Sequence, residues 1–600
     1  MQTVQRVWEW RFAASPEALW PLLADTARFN EAAGLPRYTV TDIAQPDGTV
    51  HRVGSARRLG LTLSWEEGVP QWIAGRRFAH ERRFNSGPLR RVATEILLDP
   101  TEQGGAAVRY TLSIEARLLV ALVLRAIGLE RFGRTLDRLF REAAAFAGAT
   151  DRDRAFAVAA APVSEAVRGR VAAVTRELVA RGHPAAEHLA AHLLEAPETD
   201  LERMRPRTLA RRWRVAPRAA IETCLAAVRD GLLTLRWDLV CPQCRGAKVT
   251  GTSLDQLPQG AHCSSCNIDY ERDFNRNVEV TFEPAAAVRE LGGGTYCLAS
   301  PLASEHIKIQ HRLEPGESAV LPAHLADGEY RVRTIEPGPA ADFLIEDGKI
   351  PEIALTDGAP LLGTAGGQVT VRNGTGAART VVIEDRRWAQ DALTAHEATT
   401  MQAFRDMFAD AVLRPGDQVA IARIAFLFTD IKGSSDLYNR VGDARAYGFV
   451  REHYAVLTRA VREHDGAVVK TIGDAVMAAF TNPAQALDAA VAIRSDIAAY
   501  EREVADQTGS DVAIVVKLGL HCGPCIAVTL NDRLDYFGRT VNLAARLQSE
   551  SRGGDIVVSE AVAMEPGIAD RLAALKAKAE TAHVKGFAEP IALLRVPAPE

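Results

Sequence analysis

Two acids stand at the ends of apolar runs. Ile421-Ala-Arg-Ile-Ala-Phe-Leu-Phe-Thr-Asp430 reads as a buried strand that ends in a carboxylate, and Ile431-Lys-Gly433-Ser-Ser435 turns from it into a helix. Val468-Val-Lys470-Thr-Ile-Gly473-Asp474-Ala-Val-Met-Ala-Ala-Phe480 reads as a hairpin, two apolar runs around a Gly-Asp turn. Carboxylates at strand ends suit hard cations with oxygen ligands. Two such cations held together can activate one oxygen and steady another in a phosphoryl displacement. Taken singly, an Asp after Gly is also an ordinary turn residue. A second pattern is Cys241-Pro-Gln-Cys244, eighteen residues, then Cys263-Ser-Ser-Cys266. Two such knuckles aim four thiolates at one point and fit one tetrahedral Zn²⁺, structural because no coordination position stays open. A pair of redox disulfides fits that spacing less well, and His262 is read as a bystander. Cys522-Gly-Pro-Cys525 spells a redox motif, but redox work needs a helix N-terminus to lower a thiol pKa. Here the motif lies between an expected strand, Val512–His521, and the apolar run Ile526–Leu530, so a redox role is not expected.

FTDIKGSS, KTIGDAVMAAF and LDYFGRTVNLAARL resemble the three signature segments of the class III nucleotidyl cyclases, over about Val419 to Pro597. The whole chain resembles bacterial adenylate cyclases with a START-like front and a long middle. The resemblance implies a metal set of Asp430, Ile431 and Asp474 holding two Mg²⁺ (or Mn²⁺) ions per active site. It implies a transition-state pair on Asn542 and Arg546, four residues apart and so on one helix face. It puts the base-reading pair on Lys470 and Asp535, and a triphosphate contact on Lys585 of His583-Val-Lys-Gly-Phe587. In the family the metal aspartates and the other residues of one site come from different chains. This chain has both sets, so a homodimer with two shared sites follows. Ser434-Ser435 stands where many members have an aromatic residue or Thr. Cys522–Cys525 falls where cyclases have a strand-to-strand turn.

The base preference follows from hydrogen bonding. Adenine offers an acceptor at N1 and a donor at its amine, and Lys is donor-only where ionised Asp is acceptor-only. Guanine presents the reverse, and a site that mismatches buried hydrogen-bonding groups discriminates by on the order of 10⁴ in rate. The expected activity is therefore an adenylate cyclase, a phosphorus–oxygen lyase that turns ATP into cyclic AMP and pyrophosphate. The competing readings are a nucleotide-binding signalling protein with a non-catalytic cyclase-like domain, and a DNA-binding regulator.

The elements that position these groups belong to a long multidomain α+β chain. Six hundred residues exceed one core, and 47% apolar with 24% charged residues supply several. With 71 basic against 76 acidic residues, net −5, the chain is no basic nucleic-acid coat. Leu118–Leu129, broken by Arg125, is too short to span a bilayer, and the N-terminus lacks a secretory pattern, so the expected location is cytoplasmic. Residues 1–148 open with an N-capped helix at Ser15-Pro16-Glu17. Strand-like runs follow at Arg37–Ile43, Val92–Leu98 and Ala107–Ile114, then a long helix over about Arg117–Phe146. With SPEALWPLLADTARF near the start, this front resembles the START/SRPBCC helix-grip domains, which implies room for a small apolar ligand; a filled core is the plainer reading.

Residues 160–236 read as a helical, winged-helix-like module: Arg207–Val215, a turn, Arg218–Gly231, then a strand over Leu232–Leu239. Nine Arg against four acids in 201–240 raise DNA binding as a hypothesis, but no basic run or aromatic interleaving supports it, so nucleic acid is not expected. The zinc ribbon spans 237–275. Short alternating strands such as Val278–Phe282, Glu329–Ile335 and Gly367–Asn373 make 278–386 a β-sandwich-like domain. Residues 387–417 read as a connector helix, Trp388–Leu413, with Met401, Phe404, Phe408 and Val412 on one face and Pro415-Gly416 ending it. Residues 418–600 are the ferredoxin-like cyclase domain.

Overall fold

The computed structural model describes residues 1–598 apart from 47–48, 59–60, 150–154, 157, 159, 265, 267, 388–391, 410–411, 415, 435–438, 440–441 and 509–514. Trp388, Pro415, Ser435 and the start of the strand expected at Val512 lie outside the described residues.

The front is an antiparallel sheet with a long helix across it. Strand Gln2–Phe12 pairs with Ala106–Ala116, which pairs in turn with Leu89–Pro100. The helical run Leu118–Ala147, with a π turn over Leu124–Gly128, lays Leu136, Leu139, Phe140 and Ala143 onto the sheet. Aromatic rings fill the space beneath it: Trp10 lies 4.5 Å from Phe140 and Phe29 5.6 Å from Phe140, centroid to centroid. Gly133 permits this approach, because a Cβ there would stand 2.5 Å from the Trp8 indole nitrogen.

The front sheet does not stop at residue 148. Trp72 and Ile73 pair with Gln310 and Ile309, so strands of the 278–386 region continue the same sheet. A second sheet, ordered Ser318–Leu321, Val369–Asn373, Ile350–Leu355, Leu361–Gly366, shares with it a core of Leu313, Tyr330, Val332, Ile353 and Val381. Val278–Pro284, expected to open this sandwich, pairs instead with Leu233–Val240 of the preceding module. Nearly all its residues are buried, so it lacks the one-sided alternation of a sandwich strand.

In the middle module, helices Pro206–Trp213 and Pro217–Arg229 precede Leu233–Val240. Five of its arginines are engaged within the chain. Arg203 and Arg205 meet Glu279, Arg207 meets Glu397, Arg212 meets Asp200 and Arg236 meets Glu283. These cations are already neutralised, which removes the reason to assign them to phosphates.

The connector is not one helix. Two short helices, Ala395–Thr399 and Gln402–Met407, replace it. The Thr399 and Thr400 hydroxyls donate to Ala395 O and His396 O, competing with the backbone ladder where the first helix ends. Phe404 is buried on its own chain, edge-on to Trp237 at 5.7 Å.

The C-terminal domain is a twisted mixed sheet. Its elements are numbered here in chain order: β1 (Gln418–Ile431), α1 (Asp443–Glu463), β2 (Ala467–Ile472), β3 (Ala475–Phe480), α2 (Pro483–Thr508), β4 (Val516–Leu530), β5 (Arg533–Phe537), α3 (Arg539–Ser549), β6 (Ile556–Ser559), β7 (Lys578–Ala582) and β8 (Ile591–Val596). The strand order is β2-β3-β1-β4-β6-β8-β7, with β5 also on β4. Ala425, Leu427, Leu518 and Leu520 pack with α1 and α2 on one face. Phe426, Phe428, Met477 and Tyr536 join a core that continues into the middle module through Phe404 and Trp237. Helix α3 rests directly on β4 at Gly519, where a Cβ would stand 2.1 Å from Gln548 N. Only glycine lets that backbone come so close.

Candidate active site

The hairpin β2–β3 turns at Gly473-Asp474, with Gly473 at φ 65°. This left-handed conformation suits Gly in a two-residue loop and leaves Asp474 at the tip. Asp430 is the last residue but one of β1, opposite Lys517 of β4. Burial first, then the charge of Asp474, pushes the Asp430 carboxyl above its ordinary value, with Lys517 pulling the other way. Asp474 Oδ2 is buried with no hydrogen-bond partner. Two neighbouring carboxylates, one with an orphaned oxygen, are a donor set that fits a divalent cation. Ile431 has a buried apolar side chain, so only its backbone carbonyl can join that set.

Helix α1 backs this corner. The Tyr454 hydroxyl donates to Gly473 O, and the Tyr454 ring packs in the small cluster that holds Ile431 and Val450. One side chain thus touches the surroundings of both metal-candidate turns. His453 beside it is fully buried with both ring nitrogens unpartnered, and burial pushes its imidazole down to about 4. Neither residue carried a signal in the sequence, where both look like ordinary helix positions.

The base-reading candidates meet although they lie 65 positions apart in the chain. Lys470 Nζ donates to Asp535 Oδ2 at 2.5 Å, and Asp535 Oδ1 accepts from Tyr536 N at 2.8 Å. A register shift between Val468 and Lys470 re-aims the lysine. Helix Gln402–Met407 touches both strands. Gln402 Oε1 accepts from Val468 N at 2.7 Å, and Arg405 Nη1 donates to Leu534 O at 3.0 Å with its guanidinium 5.4 Å from the Tyr536 ring centre.

Asn542 and Arg546 are both exposed on α3. Gln548 of α3 lies over Gly519, which pairs with Phe428. Counting helix rise back to Asn542 and strand rise on to Asp430 separates those two by about 15 Å along the sheet. The structure therefore does not bring Asn542 and Asp430 of one chain together. Lys585 is exposed in the loop after β7, and that loop reaches α3 through Phe587, whose ring lies 5.0 Å from the Arg539 guanidinium.

The two cysteine motifs differ. The thiols of Cys241, Cys244, Cys263 and Cys266 all lie within 4.8 Å of one another, with Cys244 and Cys263 3.8 Å apart. A tetrahedral zinc with Zn–S near 2.3 Å puts its sulfurs about 3.8 Å apart. Backbone N–H groups of Gln243 and Cys266 donate to Cys241 Sγ and Cys263 Sγ, and hydrogen bonds from the other three thiols, helped by the Lys248 ammonium, hold the Cys244 thiol far below its ordinary value. His262 turns away to Asp269, 3.0 Å off. Cys522 and Cys525, by contrast, sit inside one continuous strand, β4, not in the strand-to-strand turn expected there. Pro524 is tolerated because β1 shifts register opposite it, between Ile421 and Ile424. Burial pushes the two thiols up to about 11 and about 12.

Residues 417–586 match the family described as the adenylate and guanylate cyclase catalytic domain. Residues 172–295 match a family of unknown function, DUF5939. The chain is similar to an adenylate cyclase of Lachancea kluyveri, 32% identical over 173 residues, which is 26% of this chain and 9% of that protein. It is similar to an adenylate cyclase of Anabaena cylindrica, 28% identical over 186 residues, or 29% of this chain and 37% of that protein. It is also similar to guanylate cyclase D of Mus musculus, 31% identical over 145 residues, or 23% of this chain and 13% of that protein. The chain thus spans well under half the length of each of these relatives. The solved adenylyl cyclase CyaB from P. aeruginosa aligns at 21% identity with a TM-score of 0.27, covering 31% of this chain and 97% of that one. The C-terminal region carries a class III adenylate/guanylate cyclase catalytic domain. No helix among the described residues is long and apolar enough to cross a membrane.

Proposed function

We propose that this domain is an adenylate cyclase that converts ATP to 3′,5′-cyclic AMP and pyrophosphate. The observation that carries the choice of ATP is the Lys470–Asp535 pair. Lys470 uses one of its three N–H groups on Asp535 and keeps two for the purine, while Asp535 offers acceptor oxygens alone. That edge matches the N1 acceptor and the amine donor of adenine and opposes guanine. The ribose 3′-oxygen attacks the α-phosphorus, and the bond to the β-phosphate oxygen breaks. Asp430, Asp474 and the Ile431 carbonyl would hold two Mg²⁺ (or Mn²⁺) ions, which when bound supply Lewis-acid activation of the 3′-hydroxyl and neutralise phosphate charge. Asn542 positions the ribose, Arg546 opposes charge developing on the α-phosphoryl group, and Lys585 contacts the triphosphate.

The separation of about 15 Å between Asn542 and Asp430 supports a homodimer in which each site draws the aspartates from one chain and the other residues from its partner. The four-thiol cluster supports one structural Zn²⁺. The sheet and long helix of the front support a START-like unit, and the rings between them favour a filled interior over a ligand cavity. Helix Gln402–Met407 is read as the route by which the front regulates the site.

The test is cyclic-nucleotide formation by the full chain from ATP and from GTP, with Mg²⁺ and with Mn²⁺. ATP is expected to be preferred by on the order of 10⁴. Equal or better turnover of GTP would overturn the base assignment while leaving the cyclase reading in place.

A further inference from the structure

The front carries a surface that the catalytic reading does not use. Leu118-Leu-Val-Ala-Leu-Val-Leu-Arg-Ala-Ile127 is apolar on every side except at Arg125. Its inner side, including Ala121, is buried against the sheet. Its outer side holds Leu118, Leu119, Leu122, Val123 and Ile127, which are 53%, 77%, 50%, 63% and 67% exposed. The rest of the same helical run, Leu129–Ala147, turns Glu130, Arg131, Arg134, Arg138 and Arg141 outward, as a surface helix does. Helices apolar all round are normally covered, and a contiguous exposed patch of this kind marks an interaction face.

The charges around it indicate the cover. Between Ala116 and Leu136 stand Arg117, Arg125, Arg131 and Arg134 against the single acid Glu130. Arg117 N bonds Pro88 O, which brings the exposed Arg90 of the adjoining strand to the same end. A second copy of the chain seated on this face by a two-fold axis would bring arginines against arginines. A typical protein partner would expect aromatic or hydrogen-bonding groups at the centre, and this stripe is purely aliphatic. An aliphatic helix face rimmed by cations matches the boundary of a bilayer with anionic headgroups, where the side chains enter the acyl region and the guanidinium groups meet lipid phosphate or carboxylate.

We propose that Leu118–Ile127 is an interfacial anchor that docks the front of the chain on an anionic membrane surface without crossing it. The test is flotation of the full chain with vesicles of phosphatidylcholine containing phosphatidylserine, and with phosphatidylcholine alone, at low and high salt. Binding is expected to the anionic vesicles, to weaken with salt, and to fall at least about tenfold in Leu119→Ser/Ile127→Ser. Both side chains point outward, so circular dichroism and melting of that variant should match wild type. Arg117→Glu/Arg125→Glu, which keeps the apolar face, should lose the preference for anionic over neutral vesicles. Absence of binding to anionic vesicles at low salt overturns the proposal, as does full binding by both variants. So does an oligomer in light scattering that Leu119→Ser/Ile127→Ser dissolves, because the face would then be a protein contact.

Discussion

The two ends of the candidate active site are built on opposite electrostatic plans. At the metal end, Asp430 and Asp474 face one another, Asp474 Oδ2 has no partner, and their mutual repulsion raises the Asp430 pKa on top of burial. At the base end, Lys470 and Asp535 neutralise each other, and Gln402 and Arg405 tether the strands that carry them. The first end has an unpartnered buried oxygen, which on the proposed reading a cation would satisfy. The second is satisfied in advance and held in place, and on the proposed reading it would serve as a template of fixed donor and acceptor. An end that lacks charge compensation depends on each of its ligands, whereas a pre-paired end depends on the shape and register that present it.

The largest effect should come from emptying the unsatisfied end. Asp430→Ala is expected to cut cyclic AMP formation by more than the ~10²-fold that losing a supporting partner of a metal ligand costs. Asn542→Ala should be similarly weak. When the two variants are co-expressed, half the dimers are mixed and each mixed dimer has one intact site of two, so activity should recover to roughly a quarter of wild type. Verified mixed dimers that stay at the single-variant background would show that the site is not shared.

Next comes the pre-paired end. Lys470→Glu with Asp535→Cys should leave turnover measurable and move preference from ATP toward GTP in a competition assay, because the template is rewritten and not merely removed. An unchanged ratio would dissolve the contrast between the two ends.

The tether should matter less. Arg405→Ala removes the hold on Leu534 O and the cation over Tyr536, and is expected to lower turnover about tenfold through misplacement of Asp535. Phe404→Asp should act in the same direction by opening the Trp237 contact. Wild-type kinetics in both would leave the helix Gln402–Met407 as packing only. The smallest effect is expected for Tyr454→Phe, which frees Gly473 O. It should raise the Mg²⁺ concentration needed for half-maximal activity by a few fold, within the ~10–100-fold range for groups behind a metal ligand, with KM for ATP unchanged. A shifted KM with unaltered Mg²⁺ dependence would detach Tyr454 from the metal end.

Some of this was open to reading along the chain. The Gly473-Asp474 hairpin announces itself by two apolar runs around a turn that needs positive φ, and the Cys241–Cys266 spacing announces its cluster. The connector misled because Met401, Phe404, Phe408 and Val412 keep helical spacing, while the hydroxyl bonds of Thr399 and Thr400 that accompany the break leave no trace in a hydrophobic pattern. Val278-Glu-Val-Thr-Phe-Glu283 alternates as a half-buried strand does, but alternation does not say which sheet takes a strand, and here both of its faces are covered.

Local order was written into the sequence because it depends on neighbours a few residues away: turn chemistry, capping, and the period of apolar positions. The identity of the cysteine pairs shows where that ends. Both motifs read C-x-x-C, but in β4 an odd spacing in a strand of period two sends Cys522 and Cys525 to opposite faces of the sheet, while the loop of Cys241 and Cys244 turns both thiols inward. Tertiary structure alone decided that Lys470 would meet Asp535, that Arg405 would hold the strand beside it, that the front and the 278–386 region would share a sheet, and that Asn542 would stand apart from Asp430. Each of these depends on packing between segments far apart in the chain, where the free energy belongs to the surfaces brought together and to no single segment.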